Sequence, residues 1–271
     1  MLWFGFVLSI EATLQSYTTS ARIFWLFPTN YTGNVMGPIV YHNHYAAFIE
    51  VVLPIALYEA LRREDRSPLW AAVPAAMYAS VIASASRAGT IVATLEVIVV
   101  MAILWRRGRA SGRAVGVSLA AIAGFCILFT LVVSPEAVWA RFQIGDAMRP
   151  ELDAASLRMI TAHPLVGVGL GAWPTVYPHY AAVDFGVFVN QAHCDWLEWT
   201  AEGGIPFGIM MAGLFAWTVR AAFRSVWGLG AVAVFLHALV DYPFSRPALA
   251  SWVIVIIAML WGRRAGEAEV Q

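Results

Sequence analysis

The sequence predicts an all-α membrane protein, a polytopic transmembrane helical bundle of about eight spans with one long outward-facing loop. Three observations predict it. Of the 271 residues, 60% are hydrophobic and only 13% charged, with a mean hydropathy of +0.69. A water-soluble domain of that length cannot hide so much apolar surface, whereas lipid acts as solvent for the excess. Apolar runs of nearly membrane-crossing length recur along the chain, and arginines gather in alternate connections between them. The whole of 1–271 reads as a single membrane domain.

Crossing the hydrocarbon core takes roughly 20 mostly apolar residues. Runs of that kind lie near 1–19, 44–61, 69–85, 88–105, 114–133, 204–221, 226–241 and 247–262, the first interrupted by Glu11 and Gln15. The opening residues carry neither a cationic n-region nor a small-residue cleavage site, so no signal peptide is read. Arg62, Arg63 and Arg66 fill one connection, and Arg106, Arg107, Arg109 and Arg113 another. Arg220 and Arg224 mark a third, and Arg263 and Arg264 follow the last run. With eight alternating spans these clusters share one side, which the positive-inside rule makes cytoplasmic, together with both termini.

Two segments then face outward. Residues 20–43 open with Arg22-Ile-Phe-Trp-Leu-Phe27, an aromatic run suited to the headgroup level. Residues 134–203 form the longest polar stretch, and a loop of that length is usually functional. Asp146 to Ile160 suits a helix there, and Pro164, Pro174 and Pro178 punctuate the residues beyond it.

Several function classes are excluded. Net charge is formally zero, so no basic field points to nucleic acid. All 17 cationic side chains are arginine, which grips phosphate with a planar fork. The two cysteines, Cys126 and Cys194, make no disulfide framework. Gly167, Gly169 and Gly171 mimic a dinucleotide fingerprint, but no strand precedes them, and they read instead as a tight turn near the membrane. His42, His44, His193 and Asp195 are acceptable metal-ligand types without metal-site spacing, so no metal is predicted. A serine-nucleophile turn is absent.

The remaining polar residues gather on the outer face. Arg87, in Ser84-Ala-Ser-Arg-Ala-Gly89, is either functional or an interfacial arginine snorkelling to lipid phosphate. His193 precedes a span with Asp195 and Glu202 as candidate orienting carboxylates, which makes it a candidate base. Arg141 and Arg158 read as loop-solvating or headgroup-binding, and Asp241 and Arg246 as a short outer turn in which the two pair.

These residues resemble the O-antigen ligase and polymerase superfamily of bacterial membrane glycosyltransferases. Gly37-Pro-Ile-Val-Tyr-His-Asn-His-Tyr-Ala46 is similar to the family's G-x-F-x-N-R-N-H-x-A, and Ser84–Gly89 to its S-x-S-R-x-G. Arg149 with Leu157-Arg-Met-Ile160 and His163-Pro-Leu-Val-Gly-Val-Gly-Leu-Gly171 comes next in order. His193-Cys-Asp-Trp-Leu197 and Glu202-Gly-Gly-Ile-Pro206 complete the set, over roughly residues 20–245. Cys194 stands where the family usually has asparagine, Phe207 a glycine, His42 an arginine and Asp153 an aromatic. Members usually carry about ten to twelve spans, so the resemblance implies that several N-terminal spans are missing here.

The resemblance implies transfer of a glycan from undecaprenyl diphosphate to an acceptor hydroxyl, without cofactor or metal, on the periplasmic face of the bacterial inner membrane. The acceptor would be another glycan, a lipid A core or a protein, and membrane lipid is the remaining partner. It assigns Arg87 and Arg149 as diphosphate clamps, His193 as the catalytic residue that takes the acceptor's proton, and Asn43, Asp195 and Glu202 as its support. The alternatives are a transporter or channel for a small anion, or an inactive truncated family member. Span interiors nearly free of charge, apart from Glu11, Glu50 and Glu96, favour surface chemistry over transport.

Overall fold

The computed structural model describes residues 1–19, 21–31, 35–62, 68–132, 139 and 148–268. Arg63, Arg66, Arg141 and Asp146 lie outside the described residues, as do the side chains of Arg263 and Arg264. Among the described residues ten α-helices occur in order: α1 (Leu2–Thr18), α2 (His42–Leu61), α3 (Ala72–Ala83), α4 (Arg87–Arg106), α5 (Gly112–Val132), α6 (Arg149–Ala162), α7 (Trp173–Tyr180), α8 (Asp195–Ala222), α9 (Gly228–His237) and α10 (Pro247–Ala268). Arg22–Ile23 and Phe27–Pro28 pair as a two-residue antiparallel ribbon, which leaves Phe24, Trp25 and Leu26 exposed at its tip.

Each of the eight apolar runs carries a helix, yet only four helices among the described residues are long and apolar enough to cross a membrane: α2, α4, Gly112–Phe129 of α5, and α8. α3 has 12 residues and α9 has 10, about 18 and 15 Å at the helical rise, against a hydrocarbon core of about 30 Å. Hydropathy overstates their length because apolar residues continue past the helix. Pro68–Ala71 is a 3-10 turn ahead of α3, and α9 ends at His237 in the turn that leads to Asp241.

α2 is buried nearly all round, as expected of a helix that is apolar on every face. Pro54 lacks the N–H that would meet the Glu50 carbonyl, and α9 packs directly on that stretch. A Cβ at Gly230 would stand 2.5 Å from the Val51 carbonyl oxygen and 2.8 Å from that of Glu50, so only glycine permits the approach. The closeness brings His237 Nδ1 to 2.8 Å from Glu50 Oε1, both side chains fully buried. On the outside of the bundle α4 exposes Ile91, Leu95 and Ile98, a helical stripe suited to lipid.

The described part of the 134–203 segment is a packed layer rather than an open loop. α6 and α7 close a second core around Leu152, Met159, Trp173 and Tyr177. Trp173 Nε1 donates to Ser156 Oγ at 3.0 Å. Arg158 works inside this layer: it meets Glu151 at 2.5 Å and the Tyr180 carbonyl at 2.7 Å. α8 starts within the layer, nine residues before the apolar run, and is broken at Gly204 (φ 74°, ψ 178°). The Pro164–Gly169 turn docks into that break, with Ile205 N donating to Pro164 O at 2.8 Å and Gly169 N to Glu202 O at 2.9 Å. The glycines of this stretch therefore make the expected tight turn.

Candidate functional site

One end of the bundle collects the starts of α2, α4, α6 and α8 and the turn between α9 and α10. Its anchor is Asp195, at the first position of α8. The Asp195 N–H donates to the carbonyls of Ala238 (3.0 Å) and Asp241 (3.1 Å). Its buried carboxylate accepts from Phe244 N at 2.8 Å and Ser245 Oγ at 3.2 Å. Glu198, one turn further on, accepts from Ala192 N at 2.7 Å. His193 is pinned between these two attachments with φ 57°, a left-handed conformation that costs a non-glycine residue about 1–2 kcal/mol.

Pinned so, the His193 ring stands edge-on to Tyr242 (4.8 Å between centroids, 85°). Nδ1 lies 4.0 Å from Asp241 Oδ1, with the histidine side chain 24% and the aspartate 1% exposed. That separation is too long for a hydrogen bond but close enough for an imidazolium to feel the carboxylate. Asp241 Oδ1 also accepts from Tyr242 N at 2.9 Å, which fixes its orientation.

Cations and phenols surround this pair. Arg149, at the first position of α6, donates through Nη1 to Val240 O at 2.7 Å. Arg246 donates from Nε to His44 Nδ1 at 3.2 Å and lies 5.4 Å over the Tyr242 ring. Tyr41 stacks on Tyr242 (6.0 Å, 23°) and accepts from Asn43 Nδ2 at 3.0 Å. Burial first, then Tyr242 and Asp241, pushes the Tyr31 hydroxyl up to about 12. Burial and Asp241 raise Tyr41 and Tyr242 as well. All three stay protonated at neutral pH and can donate to an oxygen-rich ligand.

Arg87 occupies the first position of α4, behind Ser86, whose Oγ caps the helix by accepting from Gly89 N at 3.1 Å. Its guanidinium is exposed and makes no hydrogen bond or ion pair among the described residues. Two sequence-selected cations thus begin helices, where free amides and the dipole already favour an anion.

The structure therefore brings His193, Arg149, Asn43 and Asp195 together, with Arg87 at the same end. Glu202 faces elsewhere: its Oε1 accepts from Trp173 N at 3.0 Å, at the start of α7. Asp195 supports His193 through the backbone, and the carboxylate beside the ring is Asp241. Nor does Arg246 spend its contacts on Asp241, since His44 and Tyr242 hold it. His42, His44, His193 and Asp195 do not converge as ligands, and no group of three His, Cys, Asp or Glu suited to a metal occurs among the described residues. Sequence reasoning missed Tyr41, Tyr242 and Glu198, and placed Asp241 only in an outer turn. Asp241 is 48 residues from His193, too far for any local spacing to reveal, although an acid between two apolar runs is itself a signal.

No curated protein matches the chain. The O-antigen ligase family profile matches residues 72–212, slightly more than half of it. That stretch runs from α3 into α8 and contains Arg87, Arg149, His193 and Asp195, while Asp241, Tyr242 and Arg246 lie beyond it. A match of that extent over a helical membrane scaffold, centred on the elements that carry these side chains, shows that the chain belongs to the O-antigen ligase family.

Proposed function

We propose that the protein transfers a glycan from undecaprenyl diphosphate to an acceptor hydroxyl at the His193 end of the bundle, and that this end faces the periplasm. The observation that carries the reading is the convergence of His193 and Asp241 with Arg149 and Arg246 at that end. The acceptor oxygen attacks the anomeric carbon as the bond to the diphosphate breaks, and the hydroxyl proton passes to the His193 ring. Asp241 supports the imidazolium that forms. Arg87 and Arg149 hold the leaving diphosphate, whose charge rises as the bond breaks, where arginine forks and helix starts are most effective. One direct displacement inverts the anomeric centre. Membership of the family supports a lipid-linked donor, and the arginine clusters at the other end of α2, α4 and α8 support the orientation.

Transport of a small anion is the second reading, and the buried Glu50–His237 pair favours it, since ionisable groups inside a membrane often line a pathway. His237 is already engaged by Glu50 there, and Glu96, also buried, adds a further acid rather than a cation for an anion to meet. The test combines protein in nanodiscs with undecaprenyl-diphosphate-linked glycan and a panel of glycan, lipid A core and protein acceptors, the product being analysed by mass spectrometry and NMR. A product of inverted configuration supports transfer. Absence of product, together with anion flux in proteoliposomes, overturns it.

A further inference from the structure

The opposite end of the bundle holds a basic cavity. α2, α4 and α8 all run away from His193, α2 and α4 for about 30 Å, and finish where the α4–α5 and α8–α9 connections meet them. Between these connections lies a cavity of about 350 Å³ lined by Arg62, Arg107, Arg109 and Arg224 with Tyr58 and Trp227. Glu59 is the one carboxylate on its wall among the described residues, and it is engaged with Arg62 Nε at 3.4 Å. Tyr58 steadies Arg62 further, its ring 5.1 Å beneath the guanidinium. Arg107 donates to the Phe223 carbonyl at 3.3 Å and so closes the end of α8. The guanidiniums of Arg109 and Arg224 make no hydrogen bond or ion pair among the described residues.

Positive-inside arginines that only anchor a helix fan outward to the headgroups. Here four arginines from three connections line one concavity, and the carboxylate described on its wall is already engaged with Arg62. Two are held in place and two are uncommitted, an arrangement that presents several N–H donors to a tetrahedral oxyanion. Trp227, half-buried in the lining, is of the residue type enriched at the headgroup level of a bilayer.

We propose that this cavity binds a phosphate group, carried either by an anionic lipid headgroup or by a soluble phosphate, as a site separate from the His193 end. The test uses the full chain in two arms. Native mass spectrometry counts phosphatidylglycerol retained against phosphatidylcholine, and calorimetry in detergent follows inorganic pyrophosphate. Each arm compares wild type with Arg109→Ala/Arg224→Ala and with Arg106→Ala/Arg113→Ala, which removes the same charge from arginines that do not line the cavity. Wild type is expected to bind in at least one arm, and the arm that responds names the source. The cavity pair should weaken binding about tenfold or more, the control pair less than about twofold. Should the alanine pair fail to fold, Arg109→Lys/Arg224→Lys keeps the charge without the fork and should give an intermediate loss. Equal weakening by the cavity and control pairs, or no binding by wild type in either arm, overturns the proposal.

Discussion

His193 Nδ1 faces Asp241 Oδ1 across 4.0 Å, a half-buried ring against a buried carboxylate. One precedes α8 and the other lies in the α9–α10 turn, and both are set by the same backbone clamp, the Asp195 N–H on the carbonyls of Ala238 and Asp241. If His193 takes the acceptor's proton, Asp241→Asn should lower kcat about 10–100-fold with little change in donor KM. Its pH–rate profile should move its acidic limb to lower pH, because an imidazolium without the anion forms less readily. Steady-state kinetics across pH checks both; an unchanged profile would remove Asp241 from the mechanism.

Arg87→Lys and Arg149→Lys should each raise donor KM and reduce transfer by roughly tenfold or more, since lysine keeps the charge but loses the fork. Arg149 should be the more sensitive to fold, because its Nη1 also ties α6 to Val240. Donor titration and thermal unfolding separate the two effects. Wild-type donor affinity in both variants would count against the clamps.

Gly230→Leu should destabilise the bundle by about 1–3 kcal/mol, because no side chain fits against the Glu50 and Val51 carbonyls. It should also loosen the Glu50–His237 pair, which depends on that approach. Thermal unfolding in one detergent, with Gly230→Ala as the smaller step, measures this. Equal stability of all three proteins would contradict the close packing of α9 on α2.

Acid should loosen the α6–α7 layer. The Ala182 N–H and then Arg158 hold the Glu151 carboxyl below its ordinary 4.5. A depressed carboxylate contributes stability above pH 4.5, and that contribution disappears as pH falls through the lower folded value. The protection factor of the Ala182 amide, its intrinsic exchange rate divided by the observed one at each pH, should therefore fall below pH 4.5 and should not change with pH there in Glu151→Gln.

Much of this was legible in the sequence, for identifiable reasons. Apolar runs placed all eight bundle helices, because burial in lipid leaves a compositional trace along the chain. The same trace misjudged lengths at α3 and α9, since turn residues such as Ala238–Val240 are as apolar as helical ones. His193, Arg87 and Arg149 could be picked out because each sits in a local pattern at a helix start. Asp241 and Tyr242 could not be tied to His193, because only the packing of α8 against the α9–α10 turn brings them together. Glu202 and Asp195 looked alike on paper, yet one caps α7 and the other holds the turn. Short spacing constrains which residues share a helix end, not which partner a carboxylate finds across the fold.

The most direct test of the account is release of undecaprenyl diphosphate from its lipid-linked glycan by the full chain in nanodiscs, with and without acceptor, for wild type and His193→Ala. The account predicts release only when acceptor and His193 are both present, with the variant folded and at least about 100-fold slower. Release that continues in folded His193→Ala at the wild-type rate would contradict it.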